Sequence, residues 1–382
     1  MAQLITACID KQKREKPMLQ GKTLKDLATQ LMQIDETKRD LVVDLPLLSM
    51  NNKAELEVKN GSTYTFNPTT WTHQQLASYA DIPKEYYDRI KTQNPELLSN
   101  NVNHAFNMFN KQSQTTGKKE ARLLRTLNTP QGPICRALLS SRYRILDSSD
   151  LLTTALPLMI DMKMQIKSCE LTEKRLYIKA TSQKLTTEIK SGDTVEYGLV
   201  ISSSDVGAGS VRVEPFLFRL VCTNGLISPD STVRKFHIGK DLASIEATFQ
   251  EILSDDTKAL NDKAFWATVH DVIKNSMRQE VFESVVDRLR LAANEPIKNP
   301  KLDRVIDLTA QSIKVTNKTI KDQVLTELIN GHDLSRWGLI NAFTAAAHTT
   351  PNIDYDTSTE LERASGKILE LSNDQWRTIA AV

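Results

Sequence analysis

Residues 194–222 read TVEYGLVISSSDVGAGSVRVEPFLFRLVC. Two runs rich in Val, Leu, Ile and Phe, 194–203 and 210–222, flank a short segment carrying Gly207 and Gly209. Apolar, β-branched runs on either side of a glycine turn predict an antiparallel hairpin. Upstream, 165–170 and 175–181 read as two more strands, joined by the turn at 171–174. Residues 122–127 and 135–140 also read as extended, and the six strands together give one antiparallel sheet whose apolar face needs cover. A helix at 242–252 is the expected cover, and another at 151–162 lies between the strands. The fold class is therefore α+β: a central antiparallel β-sheet of hairpins with covering helices.

The flanks are helical. Leu24, Leu27, Leu31 and Met32 have helical spacing within 15–33. Residues 41–66 look extended, with a turn at Asn60-Gly61. A helix over 72–94 breaks at Ile82-Pro83 and restarts with Pro83 at its first position. Another follows at 100–109. Beyond 258, Phe265, Val269, Ile273, Met277, Val281, Val285 and Leu289 recur every four residues, a stripe that needs a partner. Helices at 301–315, 319–330 and 334–347 complete a mainly α-helical C-terminal region. Three regions are expected: 1–110, a basic sheet core at 111–256, and 257–382.

Composition excludes several function classes. The 382 residues are 40% hydrophobic, enough for a good core. No run of eighteen apolar residues spans a membrane, and the N-terminal apolar run is too short for a secretory signal. Cys8, Cys135, Cys169 and Cys222 form no CxxC, so a reducing cytoplasm and small buried thiols are expected. Ser365-Gly366-Lys367 and Gly207-Ala208-Gly209 both fail as phosphate loops, which excludes a P-loop ATPase. The six histidines make no HExxH, and Asp255-Asp256 or Asp354 with Asp356 read as solvated caps rather than metal ligands. No GxSxG occurs. The expectation is a non-enzymatic protein with no cofactor and no metal.

Charge supplies the positive signal. Net charge is only +2, yet from Lys111 to Ile145 there are eight Lys or Arg against one acid, Glu120. Residues 241–382 carry 16 basic and 22 acidic residues, so the excess is local. Clustered cations attract phosphates by counterion release. Arg136, Arg142 and Arg144 share one parity and would face one way on an unbroken strand. Lys118, Lys119, Arg122, Arg125, Arg136, Arg142 and Arg144 are the candidate phosphate contacts, with Arg212 and Arg219 as further ones. The bland alternative for such arginines is a solvated sheet face. Tyr143, Phe106 and Phe109 read as core.

The blocks ARLLRT, CRALLSSRYRILDSSDLL and FRLVCTNGLI, together with SRWGLINAFTAAAH, resemble the phage/plasmid-like protein family, also termed domain of unknown function 932. The resemblance implies a gene of a mobile element in a bacterial cytoplasm and carries no catalytic residues. The outline is also similar to phage single-strand annealing recombinases of the Redβ and Erf type. That similarity implies single-stranded DNA as partner, a ring or filament of identical subunits, and ATP-independent annealing, in which base pairing supplies the driving force. A second reading is a protein–protein interaction module of a mobile element, for anti-defence or assembly.

Overall fold

The computed structural model describes residues 21–116, 120–228 and 254–381. Helix α1 (Leu24–Thr37) starts at Thr23, whose hydroxyl accepts the Asp26 N–H. Strands β1 (Leu41–Asp44), β2 (Leu48–Met50), β3 (Leu56–Asn60) and β4 (Ser62–Pro68) follow. Helices α2 (Thr70–Tyr79), α3 (Lys84–Gln93) and α4 (Pro95–Thr116) come next, then the hairpin β5 (Ala121–Thr129) and β6 (Gly132–Ser140). These six strands form one sheet in the order β1-β5-β6-β4-β3-β2. All its pairs are antiparallel except β4 with β6, which meet in parallel at Asn67↔Ile134 and Pro68↔Cys135. The basic hairpin therefore belongs to the N-terminal sheet, and the boundary expected at 110/111 lies inside one structural unit.

Helix α5 (Ser148–Asp161) leads to a second sheet of β7 (Met164–Leu171), β8 (Leu176–Lys190), β9 (Asp193–Ser203), β10 (Arg212–Arg219) and β11 (Asn224–Ile227). Each strand pairs antiparallel with the next in sequence, as the hairpin signals predict. Both faces of this sheet are covered. Leu176, Ile178 and Ala180 join a core with Leu27 and Leu31 of α1 and Leu152 of α5. The alternate residues Tyr177, Lys179 and Thr181 point the other way, with Tyr177 and Lys179 meeting Asp356 and Glu362. The expected covering helix at 242–252 lies outside the described residues.

The C-terminal helices are α6 (Asp255–Ser276), α7 (Gln279–Ala293), α8 (Leu302–Ile313), α9 (Lys318–Gly331), α10 (Arg336–Thr349), α11 (Tyr355–Gly366) and α12 (Asn373–Ala381). The four-residue stripe is not one helix. It breaks at Met277-Arg278 and serves two cores: Phe265, Val269 and Ile273 pack beside α5, while Phe282, Val285 and Leu289 pack with α8 and α10. A repeat of four drifts about 40° per step on a helix of 3.6 residues per turn, so a straight helix turns it off any single face. No helix among the described residues is long and apolar enough to cross a membrane.

One buried contact fixes α2 on α3. His73 Nδ1 lies 2.9 Å from the Tyr87 hydroxyl. Burial, helped by Lys91 and Lys84, pushes His73 down to about 4 from its ordinary 6.5. The folded imidazole is thus neutral, and its contribution is complete above pH 6.5. It is lost as pH falls from 6.5 toward 4, amounting to about 3 kcal/mol at the lower end. Urea titrations at pH 7.5 and 4.5 should show this loss in the parent and a smaller one in His73→Phe. Equal losses in both would place the pH sensitivity elsewhere.

Candidate nucleic-acid interface

The predicted arginines do not share a face. Strand β6 ends at Ser140, so Arg142 and Arg144 follow it in a turn and an irregular stretch. Arg125 is 1% exposed and sits among three carboxylates: Asp40 at 3.0 Å, Asp147 at 2.6 Å and Asp205, whose carbonyl also accepts from it at 2.7 Å. Burial pulls its pKa down, but Asp147, Asp205 and Asp40 more than offset this and leave it raised. Arg136 donates to both Asp205 carboxylate oxygens at 3.0 Å and is likewise buried. Arg144 pairs with Asp262 through Nε at 2.7 Å and lies over Phe265. Arg219 holds Asp193 at 2.5 Å. Arg212 is half-buried, and burial together with Arg363 and Arg175 lowers its pKa. A buried cation neutralised by carboxylates has no free donor face for phosphate, so Arg125 and Arg136 are structural. Lys118 and Lys119 lie outside the described residues.

Arg122 is also paired, with Glu120 at 2.5 Å, but it lines a cleft of about 440 Å³ between α2 and the β5–β6 hairpin. The hydroxyl of Thr69 accepts the Thr72 N–H and starts α2, and the Thr72 hydroxyl donates to the Cys135 carbonyl, anchoring the helix on β6. Thr72, His73, Leu76 and Ala77 are buried beneath it. The other face, Trp71, Gln74, Gln75, Ser78 and Tyr79, falls at i, i+3, i+4, i+7 and i+8 and lines the cleft.

The far wall comes from the second sheet. The β9–β10 connection crosses over and places the Val206 carbonyl at 2.8 Å from Trp71 Nε1 and 3.0 Å from Gln75 Nε2. Gln75 also accepts the Leu138 N–H at 2.9 Å, so both its nitrogen and its oxygen are engaged. Gly207 has φ +78°, and a Cβ there would meet the Leu139 side chain at 2.5 Å. Only glycine satisfies both the backbone and the space.

A cation–aromatic stack runs along the rim. Arg122 lies over the Tyr79 ring at 4.7 Å, and Tyr79 packs on Phe109 at 4.6 Å between centroids. Phe109 is 37% exposed, unlike Phe106, so the expectation that both are core holds for Phe106 alone. Lys174 sits 5.7 Å from the Trp71 ring centre; Arg142 is exposed in the turn after β6 and does not line the cleft. No lining side chain is a carboxylate, histidine or cysteine. The chemistry on offer is stacking, amide and hydroxyl hydrogen bonding, and positive charge partly offset by Glu120 at Arg122 and by Glu173, which accepts the Trp71 N–H at 3.1 Å. Among the described residues no three His, Cys, Asp or Glu could hold a metal ion.

Sequence reading missed Trp71, Gln74, Tyr79 and Phe109. A usable signal exists: aromatics at both ends of WTHQQLASY flank polar Gln74, Gln75 and Ser78 on the same helical face. A buried helix face would not carry that pattern. Cys222 is corrected as well. It is exposed on the β10–β11 turn, with Arg219 Nη1 3.1 Å from its sulfur. Cys135 and Cys169 are buried as expected, and burial pushes each thiol up to about 12.

The blocks that carried the family resemblance fold against each other. Asn224 donates to the Thr344 hydroxyl at 2.5 Å, and Gly225 leaves room for the Phe216 ring and Glu362. Glu362 accepts from Lys179 at 2.5 Å and meets His348 Nε2 at 3.0 Å. TNGL and NAFTAAAH thus meet in one buried polar centre beneath α11. No curated protein and no solved structure matches the chain. A family model described as domain of unknown function 932 matches residues 137–348, more than half of the sequence, and the chain belongs to that family.

Proposed function

We propose that this protein binds single-stranded nucleic acid, without nucleotide hydrolysis, at the cleft between α2 and the β5–β6 hairpin. The observation that carries the reading is the Arg122–Tyr79–Phe109 stack beside an open cleft. Unpaired bases stack on aromatic rings and guanidinium planes, and such contacts tolerate any sequence because every base has a π face. Lys174, beside the Trp71 ring, supplies a cation for phosphates. A role in annealing within a phage or plasmid belongs to the same proposal. It rests now on this cleft rather than on an arginine-lined sheet, because Arg125 and Arg136 are occupied by aspartates.

The test is anisotropy of a labelled dT20 strand and of the matching duplex, across a salt series. The single strand should bind more tightly. Tyr79→Ala should weaken it by about 1–3 kcal/mol, the range for removing one stacking partner. Arg122→Ala should flatten the salt slope by about 0.7, the value for one phosphate on a single strand. If both variants bind as the parent does, the cleft is not the site. If the full chain binds no strand at low salt, the reading fails and a protein partner becomes the object of search.

A further inference from the structure

Resting on that reading, we infer that the cleft takes a short stretch of two to four nucleotides and contacts its bases as well as its phosphates. Trp71 and Tyr79 are eight residues apart on one helical face, which separates them by about 12 Å at 1.5 Å per residue. A strand stacked as in B-DNA, rising 3.4 Å per nucleotide, spans that distance with about four nucleotides, and a more extended strand needs fewer. The two ends differ in chemistry. At one, Arg122 is backed by Tyr79 and Phe109, and a base can lie against the guanidinium. At the other, the Trp71 indole is held by its bond to the Val206 carbonyl and has Lys174 close to its ring.

Between these stations the helix offers Gln74 and Ser78. Both are exposed, and among the described residues neither side chain has a hydrogen-bond partner. Gln75, one residue on, is held by Val206 and Leu138. An amide carries both donors and an acceptor, so Gln74 can meet the pairing edge of any base. Stacking at two points with an adaptable amide between them selects unpaired bases over a duplex, whose bases are hidden in the stack.

The experiment uses the full chain and oligothymidylates from dT1 to dT12 in competition with labelled dT20. Affinity should climb steeply to about dT4 and then level off apart from the gain in equivalent registers. Gln74→Ala with Ser78→Ala, both exposed and safe for folding, should weaken dT4 by about tenfold and leave dT1 nearly unchanged, an effect of the size of one to two lost hydrogen bonds. Trp71→Phe should move the plateau to shorter oligomers. Affinity that keeps climbing at one slope through dT12 would overturn the short footprint while leaving single-strand binding intact. Failure of every length, dT20 included, would instead remove the underlying reading.

Discussion

Replacing Glu362 with alanine is expected to destabilise the protein by about 3–5 kcal/mol, the range for removing one partner of a buried ion pair. Glu362 is 0% exposed, and its partner Lys179 is 1% exposed. Burial raises the Glu362 pKa, but Lys179 and His348 more than offset it, so the carboxylate is held below its ordinary value. Burial dominates at Lys179 and lowers its pKa despite the carboxylate. Removing Glu362 strands an ammonium in the interior, and the amine then sheds its proton or the helix α11 lifts from the sheet. His348 loses its partner too, but its side chain is 17% exposed and can turn to water. Urea denaturation at pH 7 reads the loss as a lower midpoint with an unchanged slope. The informative companion is Lys179→Met with Glu362→Leu. Replacing both charges with apolar groups of similar size is often close to neutral, so the double variant should recover most of the loss. A Glu362→Ala variant as stable as the parent would show that the pair is hydrated and the polar centre open. At acid pH the parent should approach the variant. The folded pKa is depressed, so the Glu362 contribution is complete above its ordinary value of 4.5 and fades only as pH falls below it.

The sheet was readable because its signals are local. Alternation and the turn glycines Gly207 and Gly209 sit within the strands they connect, and each β7–β11 strand pairs with its sequence neighbour. The N-terminal sheet was not readable, because β4 meets β6 in parallel across more than sixty residues and β1 pairs with β5 across a similar gap. No local periodicity encodes such pairings. The arginines failed for the same reason. A basic run in sequence is a surface patch only if no acids fold onto it, and Asp40 and Asp205 arrive at Arg125 from separations of 85 and 80 residues. Arg122 remained at the cleft because its carboxylate partner, Glu120, lies two residues away in sequence and leaves the guanidinium over the Tyr79 ring. The cleft itself needs α2, the hairpin and the β9–β10 connection together, so only its helical face was available to inspection.

Asp205→Ala is the second large effect, and it should act on stability and binding together. Asp205 is buried in the β9–β10 connection, holds Arg136 through both oxygens and lies 3.6 Å from Arg125. Arg125 keeps Asp40 and Asp147 in the variant, whereas Arg136 loses the carboxylate it grips. A stranded buried guanidinium cannot deprotonate at any ordinary pH, so it must find water or move, at an expected cost of about 3–5 kcal/mol. Asp205→Asn keeps an acceptor and should lose less. Removing the cation as well, in Asp205→Ala with Arg136→Leu, should be less harmful than the sum of the two single changes, because neighbours in one network do not add. The second consequence follows from chain connectivity. Val206, the next residue, holds Trp71 and Gln75 through its carbonyl. Release of Asp205 therefore loosens the wall of the cleft, and dT4 binding should weaken at temperatures where circular dichroism shows the variant still folded. Weaker binding that tracked only the unfolded fraction would mean that Asp205 stabilises the protein without shaping the cleft. Weaker binding of the folded variant, restored in Asp205→Glu where the longer carboxylate can still reach Arg136, would tie the ion pair to the site.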